Sequence, residues 1–169
     1  GALDGGGDEF KIRKKLIENN LVEAIIIIPR ETFYSTDISV TLWILNKNKK
    51  ERAVNINDKI KKYRNRNEIL FMDLRQWGSK VEKKFIELTE EEIKKVVNNY
   101  HNWQQEDFKN TYKNVPEFCY SAPFEEIEKK DFSLVPSRYI EFIDADSNID
   151  FDKEMSRIQK DFKKLLKDE

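Results

Sequence analysis

One nearly continuous apolar run constrains the fold of this chain more than any other feature. Leu21–Pro29 is aliphatic or β-branched at almost every position and ends in a proline. The run is too continuous for an amphipathic element and too short for a core helix. It is typical of a strand that is buried on both faces, as in parallel sheets that are covered by helices. We therefore expect an α/β fold.

The segments around this run predict its neighbours. Apolar residues at helical spacing predict a helix that ends near residues 18–20, and Asp8 is placed to cap it. After a short loop, Ile38–Leu45 alternates with the period of two that is typical of a strand. Glu68–Leu74 predicts a third strand, with Ile69, Phe71 and Asp73 on one face and Leu70, Met72 and Leu74 on the other. Helix and strands in this order indicate the trailing edge of an α/β sheet.

Composition limits the class of protein. The chain has 169 residues, of which 38% are hydrophobic, so it is long enough for one buried core. No apolar stretch approaches the roughly 20 residues needed to cross a bilayer, and we expect a cytoplasmic protein without a membrane span. Cys119 and His101 are the single cysteine and the single histidine, which excludes a disulfide scaffold and a cysteine-rich zinc fold.

The distribution of glycine excludes a further kind of site. Four of the five glycines lie within the first seven residues, and only Gly78 follows. A nucleotide or S-adenosylmethionine loop needs glycines between a strand and a helix, so that the backbone approaches the ligand. We therefore expect this chain alone to bind no cofactor. Because it begins at Gly1 within what is typical of a glycine-rich loop, we interpret it as a piece of a longer protein.

The second half of the chain changes character. Thr89 and Glu92 form a capping box, and apolar residues at i, i+3, i+4 and i+7 predict a helix from about 90 to 104. Ser121 or Ala122 is placed to cap a short helix that follows. This half is therefore expected to be helical and irregular.

The last segment predicts a helix with a narrow apolar seam. From about residue 151 to 167, apolar residues recur at steps of 4, 3, 4 and 3, as in a heptad pattern: Phe151, Met155, Ile158, Phe162 and Leu165. Such a seam suits docking against helices of a partner, with packing onto this same chain as the alternative. We divide the chain into residues 1–80, the last helix and strands of the core; residues 81–150, a helical and irregular region; and residues 151–169, the heptad helix.

Charge is unevenly distributed. Between Lys47 and Arg66 there are nine basic and two acidic residues, a local net charge of about +7. Little apolar patterning is present there, so we expect a basic loop within the first region. A nucleic acid is the obvious partner of such a segment, and a solvated surface loop is an equally good interpretation.

Two aromatic residues stand in a loop instead of inside a helix or strand. Phe33 and Tyr34 follow the buried strand, and loops at the strand ends of α/β sheets are where ligands bind. The alternative is that both rings close the end of the core. Neither His101 nor Cys119 is a catalytic candidate, because no nucleophile, metal-ligand spacing or basic cluster accompanies them. Cys119 is expected to be a small buried hydrophobic residue.

Several blocks of sequence follow one another in a characteristic order: Ile12–Leu16, Leu21–Pro29, Phe33–Ile38, Leu42–Lys47, Ile69–Asp73, Tyr100–Trp103, Phe118–Ala122 and Asp131–Tyr139. In content and order they resemble the modification (methyltransferase) subunit of type I restriction-modification systems. The resemblance covers nearly the whole chain. It implies a Rossmann-like methyltransferase sheet followed by a mainly helical C-terminal region.

The resemblance also implies a function. Members of this family are N6-adenine DNA methyltransferases that use S-adenosylmethionine, flip the target adenine out of the duplex and work with a sequence-reading specificity subunit. A restriction subunit is a further partner that the family allows. The family's catalytic motif, Asn or Asp followed by Pro-Pro and an aromatic residue, is absent, because the four prolines are never adjacent: Pro29, Pro116, Pro123 and Pro136. The chain therefore looks like the C-terminal part of such a subunit, without catalytic residues and inactive alone.

Site residues follow from these observations. Phe33 falls on the family's aromatic position that packs against the extruded base, with Tyr34 beside it. The basic residues expected at the DNA backbone are Lys59, Lys61, Lys62, Arg64 and Arg66, and no metal ligands are expected. The alternative to a methyltransferase part is a non-catalytic module that binds DNA through the basic segment and protein through the heptad helix.

Overall fold

The structure, a computed structural model, describes residues 2–49, 53–56, 58–64, 66–82, 85–107, 111–143, 155 and 157. Its elements in chain order are α1 (Gly7–Glu18), β1 (Val22–Ile27), β2 (Thr41–Leu45), β3 (Ala53–Ile56), β4 (Lys59–Lys62), β5 (Glu68–Asp73), β6 (Ser79–Val81), β7 (Phe85–Glu87), α2 (Glu90–Gln104), β8 (Cys119–Pro123) and α3 (Phe124–Lys129), followed by a 3₁₀ helix at Pro136–Arg138.

A mixed four-stranded sheet has the order β2-β1-β5-β8. The central strands β1 and β5 are parallel, with Ile27 opposite Asp73, and an antiparallel strand flanks each of them. All six residues of β1 are buried, as predicted for the apolar run. The expected α/β fold is therefore confirmed. The fourth strand, β8, comes from beyond residue 80 and joins the same sheet.

The two faces of the sheet carry two apolar clusters. On one face, Ile69 and Phe71 of β5 pack in a cluster that includes Ile25 and Leu134. On the other face, Leu70 and Met72 pack in a cluster with Trp103. The alternation predicted for β5 is confirmed, because it sends successive side chains into opposite clusters.

The helix ends test the predicted caps. The capping box at Thr89 and Glu92 is formed, so α2 begins where predicted. The helix predicted to end near residues 18–20 is present as α1, but its predicted cap was wrong: Gly6 is the N-cap, and Asp8 lies in the first turn, where Lys11 Nζ donates to its carboxylate at 2.9 Å. The short helix α3 has Pro123 as its N-cap, because residues 119–123 are committed to strand β8.

Two small hairpins replace stretches that were predicted without strands. β3 pairs antiparallel with β4 inside the basic segment, and Asp58 lies in their turn with φ 59°. The expected loop is therefore a hairpin, which we call the basic hairpin. β6 pairs antiparallel with β7 from Ser79 to Glu87, and we call this the supporting hairpin.

The C-terminal segment is described at two positions only. Met155 and Arg157 are helical, and the Met155 side chain is 40% exposed. The other residues of the predicted heptad seam lie outside the described residues: Phe151, Ile158, Phe162 and Leu165.

Candidate nucleic-acid interface

The loop that leaves the carboxyl end of β1 presents its aromatic rings to solvent. We call residues 30–37 the aromatic loop. Phe33 is 45% exposed and Tyr34 is 89% exposed. The loop is closed by the Arg30 Nε bond to the Asp37 carbonyl oxygen at 3.1 Å and the Thr36 amide bond to the Phe33 carbonyl oxygen at 3.3 Å. Tyr34 therefore faces solvent almost completely and Phe33 about half, an exposure that favours the ligand-binding interpretation of this loop over closure of the core.

A small pocket adjoins the exposed rings. It has a volume of about 130 Å³ and is lined by Glu31, Phe33, Tyr34, Asp37 and Phe85. Phe85 belongs to the supporting hairpin, and its ring centroid lies 5.9 Å from that of Tyr34. The pocket thus brings three aromatic residues and two acidic residues together at this edge of the sheet.

A second cleft opens at the carboxyl end of the neighbouring strand β5. Its volume is about 450 Å³, and Asp73, Arg75, Trp77 and Phe142 contribute to its lining. Arg75 binds the buried Asp73 carboxylate through Nε at 3.0 Å, and this hydrogen bond raises the pKa of Arg75. The sequence analysis did not single out these residues. The sequence feature that could have indicated this cleft is an aspartate at the end of a buried strand.

The basic hairpin exposes three of the cations assigned to the DNA backbone. Lys59, Lys61 and Lys62 are exposed on β4. Lys62 lies 3.1 Å from the Glu106 carboxylate, a contact between two half-exposed side chains. Arg66 follows the hairpin, with its guanidinium 3.8 Å from Glu68 and its side chain 40% exposed. These four side chains offer positive charge to a partner in solution.

Arg64 departs from the prediction. Its side chain is 2% exposed and pairs with the Glu68 carboxylate. The guanidinium carbon lies 3.8 Å from the ring centroid of Trp103, the geometry of a cation–π contact. Burial lowers the pKa of Arg64 to about 10, although Glu68 opposes the shift. Because it is enclosed by protein, Arg64 does not contact a DNA backbone.

Arg64 belongs to a larger buried polar network beneath the basic hairpin. Glu68 also accepts a hydrogen bond from Ser121 Oγ at 3.0 Å, and Ser121 Oγ accepts one from Trp103 Nε1 at 2.8 Å. Lys49 Nζ donates to the backbone carbonyl oxygens of Val22 at 2.9 Å and Glu68 at 3.1 Å. Burial lowers the pKa of Lys49 to about 8. The chain on both sides of the hairpin is thus fixed to the sheet.

Glu23 forms the second half of this network. It lies in the middle of the apolar run, on β1, and is 1% exposed. Its carboxylate accepts hydrogen bonds from Asn46 Nδ2 at 2.6 Å, Tyr63 OH at 3.0 Å and Gln104 Nε2 at 2.9 Å. A buried carboxylate with three donors is satisfied, and it ties β2, the end of the basic hairpin and α2 to one strand. The sequence feature that could have indicated this network is the charged residue Glu23 within an apolar run.

The cysteine and histidine do not form a reactive centre. Cys119 is buried, and burial raises the pKa of its thiol, which disfavours the thiolate. The expectation of a buried hydrophobic cysteine is confirmed. His101 is half-buried on α2 beside Tyr100. Across the described part of the chain, no three His, Cys, Asp or Glu side chains are grouped so that they could hold a metal ion.

Comparison with known proteins places these features in a family. Residues 1–148 match the family described as N-6 DNA Methylase. The chain belongs to this family. It is 35% identical over 133 residues to the type I restriction enzyme HindI methylase subunit of Haemophilus influenzae, an overlap of 79% of this chain and 26% of that protein. It is 30% identical over 169 residues to the MjaIX methylase subunit of Methanocaldococcus jannaschii, an overlap of 100% of this chain and 28% of that protein.

A solved structure supports the same assignment. The methyltransferase subunit of a type I restriction-modification system from Streptococcus thermophilus matches with a TM-score of 0.66 and 27% identity, over 84% of this chain and 25% of that chain. The resemblance to type I modification subunits and the methyltransferase-like α/β fold are thereby confirmed. The chain spans about a quarter of the length of the relatives it matches. None of its described helices is long and apolar enough to cross a membrane.

Proposed function

We propose that this chain is part of the DNA adenine-N6 methyltransferase subunit of a type I restriction-modification complex. The whole protein transfers a methyl group from S-adenosylmethionine to an adenine that is flipped out of the duplex. The observation that carries the proposal is the solvent-exposed pair Phe33 and Tyr34 at the carboxyl end of a central strand, in a chain of the N-6 DNA methylase family.

The exposure of these rings has a physical use in that reaction. An extruded base loses the stacking energy of its neighbours in the duplex, and an aromatic face replaces about 1–3 kcal/mol of it. A ring enclosed in the core has no face to offer. Phe33, which is half-exposed, and Tyr34, which is almost fully exposed, meet this requirement.

The described residues do not fit the cofactor. A Cβ added at Gly78 would lie 2.5 Å from the Ile86 side chain and 2.8 Å from the Glu87 carbonyl oxygen, so this glycine is already enclosed by the supporting hairpin. A Cβ added at Gly6 or Gly7 would have no described atom within 4 Å, so no cradle surrounds them. We therefore assign the cofactor loop and the catalytic motif to parts of the protein outside this chain, and we expect the chain alone to be inactive.

The edge of the sheet supports a continuation into the rest of the protein. Among the described residues, β2 pairs with β1 only, so its outer edge carries unpaired backbone groups. Leu42 and Leu45 of this strand are 47% and 54% exposed. An exposed apolar edge strand is a ready template for a further strand. We assign that strand to the remainder of the methyltransferase sheet.

Partners follow from the surfaces. We assign contacts with the DNA backbone to Lys59, Lys61, Lys62 and Arg66, whose side chains face solvent, and no longer to Arg64. The heptad seam of residues 151–165 is proposed to dock on helices of the specificity subunit, and a restriction subunit is a further proposed partner. The second candidate function, a non-catalytic module that binds DNA and protein, is favoured by the firm attachment of the basic hairpin to the sheet.

The substitution Phe33→Ala in the full-length subunit, assembled with its partners, separates the two functions. For a stacking role, we expect methylation to fall between about 5-fold and 150-fold, the kinetic equivalent of 1–3 kcal/mol. The fluorescence of 2-aminopurine at the target adenine, which reports extrusion, should fall in parallel. The target is identified beforehand by sequencing DNA that the wild-type complex has methylated.

Ile93→Ala is the matched control, because Ile93 on α2 is a similarly exposed apolar residue, at 47%, with no proposed contact to DNA or to a partner. Unchanged methylation in Phe33→Ala would favour the non-catalytic module. A loss of folding stability of several kcal/mol, with unchanged activity per folded molecule, would return Phe33 to a packing role.

A further inference from the structure

The aromatic loop does not stand alone at its edge of the sheet. Three contacts join it to the supporting hairpin, which comes from a stretch 40 to 60 residues later in the chain. The Ile86 amide donates to the Glu31 carbonyl oxygen at 2.9 Å, and Lys80 Nζ lies 3.0 Å from the Glu31 carboxylate. The Phe85 ring lies against the Tyr34 ring, with 5.9 Å between centroids and 42° between planes.

The supporting hairpin is itself fixed from behind. Its first strand follows Gly78, whose backbone (φ 82°) packs so closely on Ile86 and Glu87 that no side chain fits there. The Gly78 amide donates to the Glu92 carboxylate at 2.9 Å. The same carboxylate accepts the Thr89 amide of the capping box at 2.8 Å. A continuous set of contacts thus runs from the start of α2 through the hairpin to the aromatic loop.

The geometry points to the supporting hairpin as a positioning element for the flipped base, with Phe85 and Lys80 as its positioning residues. This inference rests on the proposed stacking role of the loop. Phe85 sets the orientation of Tyr34, and Lys80 together with the Ile86 amide fixes Glu31, two residues before Phe33. Neither side chain is proposed to touch the reacting atoms.

The distribution of burial argues against a purely structural role for these contacts. Tyr34 is 89% exposed although it touches Phe85, and Lys80 is 58% exposed. Their partners Phe85 and Glu31 are partly buried, but contacts that leave one of the two side chains mostly in solvent add little to folding stability. These contacts do restrict the conformations of the aromatic loop, which has few buried atoms of its own. A small displacement of the groups that hold the reacting base lowers the reaction rate even when the DNA still binds.

The test uses the full-length subunit in its complex. In Phe85→Leu, we expect the turnover rate and the 2-aminopurine signal to fall about 10-fold, with the KM for DNA changed less than about twofold. Phe85→Tyr keeps an aromatic ring and should restore both values. Lys80→Gln should lower both by about threefold, because one of the two Glu31 contacts survives. The matched control is Lys11→Gln, which breaks a surface pair with Asp8 at 2.9 Å on α1, a helix outside this set of contacts.

Each outcome decides the inference. Wild-type turnover and extrusion in Phe85→Leu, with Phe33→Ala impaired, would overturn it and leave the proposed function standing. Wild-type behaviour in both variants would overturn the proposed function and the inference with it. If Phe85→Leu does not fold, Lys80→Gln decides, since its side chain is exposed: a reduced extrusion signal supports the inference, and a wild-type signal rejects it.

Discussion

The aromatic loop and the basic hairpin both lie between strands of the sheet, but different kinds of contact attach them to the rest of the protein. The basic hairpin is attached through buried charges, chiefly Arg64 on Glu68 and Lys49 on two carbonyl oxygens. The aromatic loop is held by backbone bonds and exposed contacts, and its rings face solvent. Breaking the attachment of the hairpin should therefore reduce stability, whereas changing the loop should reduce function.

The comparison also distinguishes two arginines that contribute equally to the net charge of the basic segment. Arg64 and Arg66 are two residues apart, and both approach Glu68. One side chain is enclosed and the other is 40% exposed. Only the exposed cation faces solvent, so the net charge of about +7 of the segment overstates the positive charge at its surface.

The largest expected effect is on Arg64. Arg64→Ala should lower the free energy of unfolding by about 3–5 kcal/mol, because it breaks the buried pair with Glu68 and leaves only the more distant Arg66, at 3.8 Å, near that carboxylate. Equilibrium unfolding in urea measures this value. Arg66→Ala is the matched control and should change stability by less than about 0.5 kcal/mol. Equal effects of the two substitutions would remove the distinction between enclosed and exposed cations.

Lys49 gives an intermediate effect that depends on pH. Its folded pKa of about 8 lies below the ordinary value of 10.5, so the unfolded chain binds more protons between these pH values. The contribution of Lys49 to stability should therefore rise with pH across this window, by at most about 1.4 kcal/mol per pH unit. Urea unfolding at a series of pH values from about 7.5 to about 9.5, chosen to cover the start of that window, measures it.

Lys49→Met isolates this contribution. Arg64, whose pKa is about 10, remains in both proteins, so the difference in stability between wild type and variant reports chiefly Lys49. The wild type should gain on the variant as pH rises. A difference that stays constant with pH would mean that Lys49 is not enclosed by the network.

The smallest effect on stability is expected on the outer side of the hairpin. Lys59→Ala with Lys61→Ala should change stability by less than about 0.5 kcal/mol for each residue. In the assembled complex, the same pair should weaken binding to all DNA sequences alike. It should also flatten the slope of log affinity against log salt by about 0.9 for each phosphate that the protein no longer neutralises. An unchanged slope would assign these lysines to a solvated surface.

The elements that could be predicted are those whose sequence pattern lies within one short stretch of the chain. The apolar run of β1, the alternation of β5 and the capping box of α2 each depend on residues close in sequence, and all three are confirmed. The hairpin strands have only three or four residues, and β8 has five, so their periodicity was too short to recognise. For the loop aromatics, the sequence left open whether they face a ligand or close the core, and their exposure is set by the tertiary fold.

The enclosed cations could not be predicted for a different reason. Arg64 is buried because Trp103 arrives from α2 and Ser121 from β8, about 40 and 60 residues away in sequence. Nothing near Arg64 in sequence distinguishes it from Arg66. The burial of a charge is decided by partners that only the tertiary fold brings together.

The backbone of Glu31 has a consequence for the entropy of association. Its φ of 58° is a left-handed conformation that costs a non-glycine residue about 1–2 kcal/mol. The Ile86 amide and the Lys80 ammonium hold it there before any DNA arrives. In the proposed role, the loop therefore loses conformational entropy when the chain folds. Less entropy is then lost when the flipped base binds.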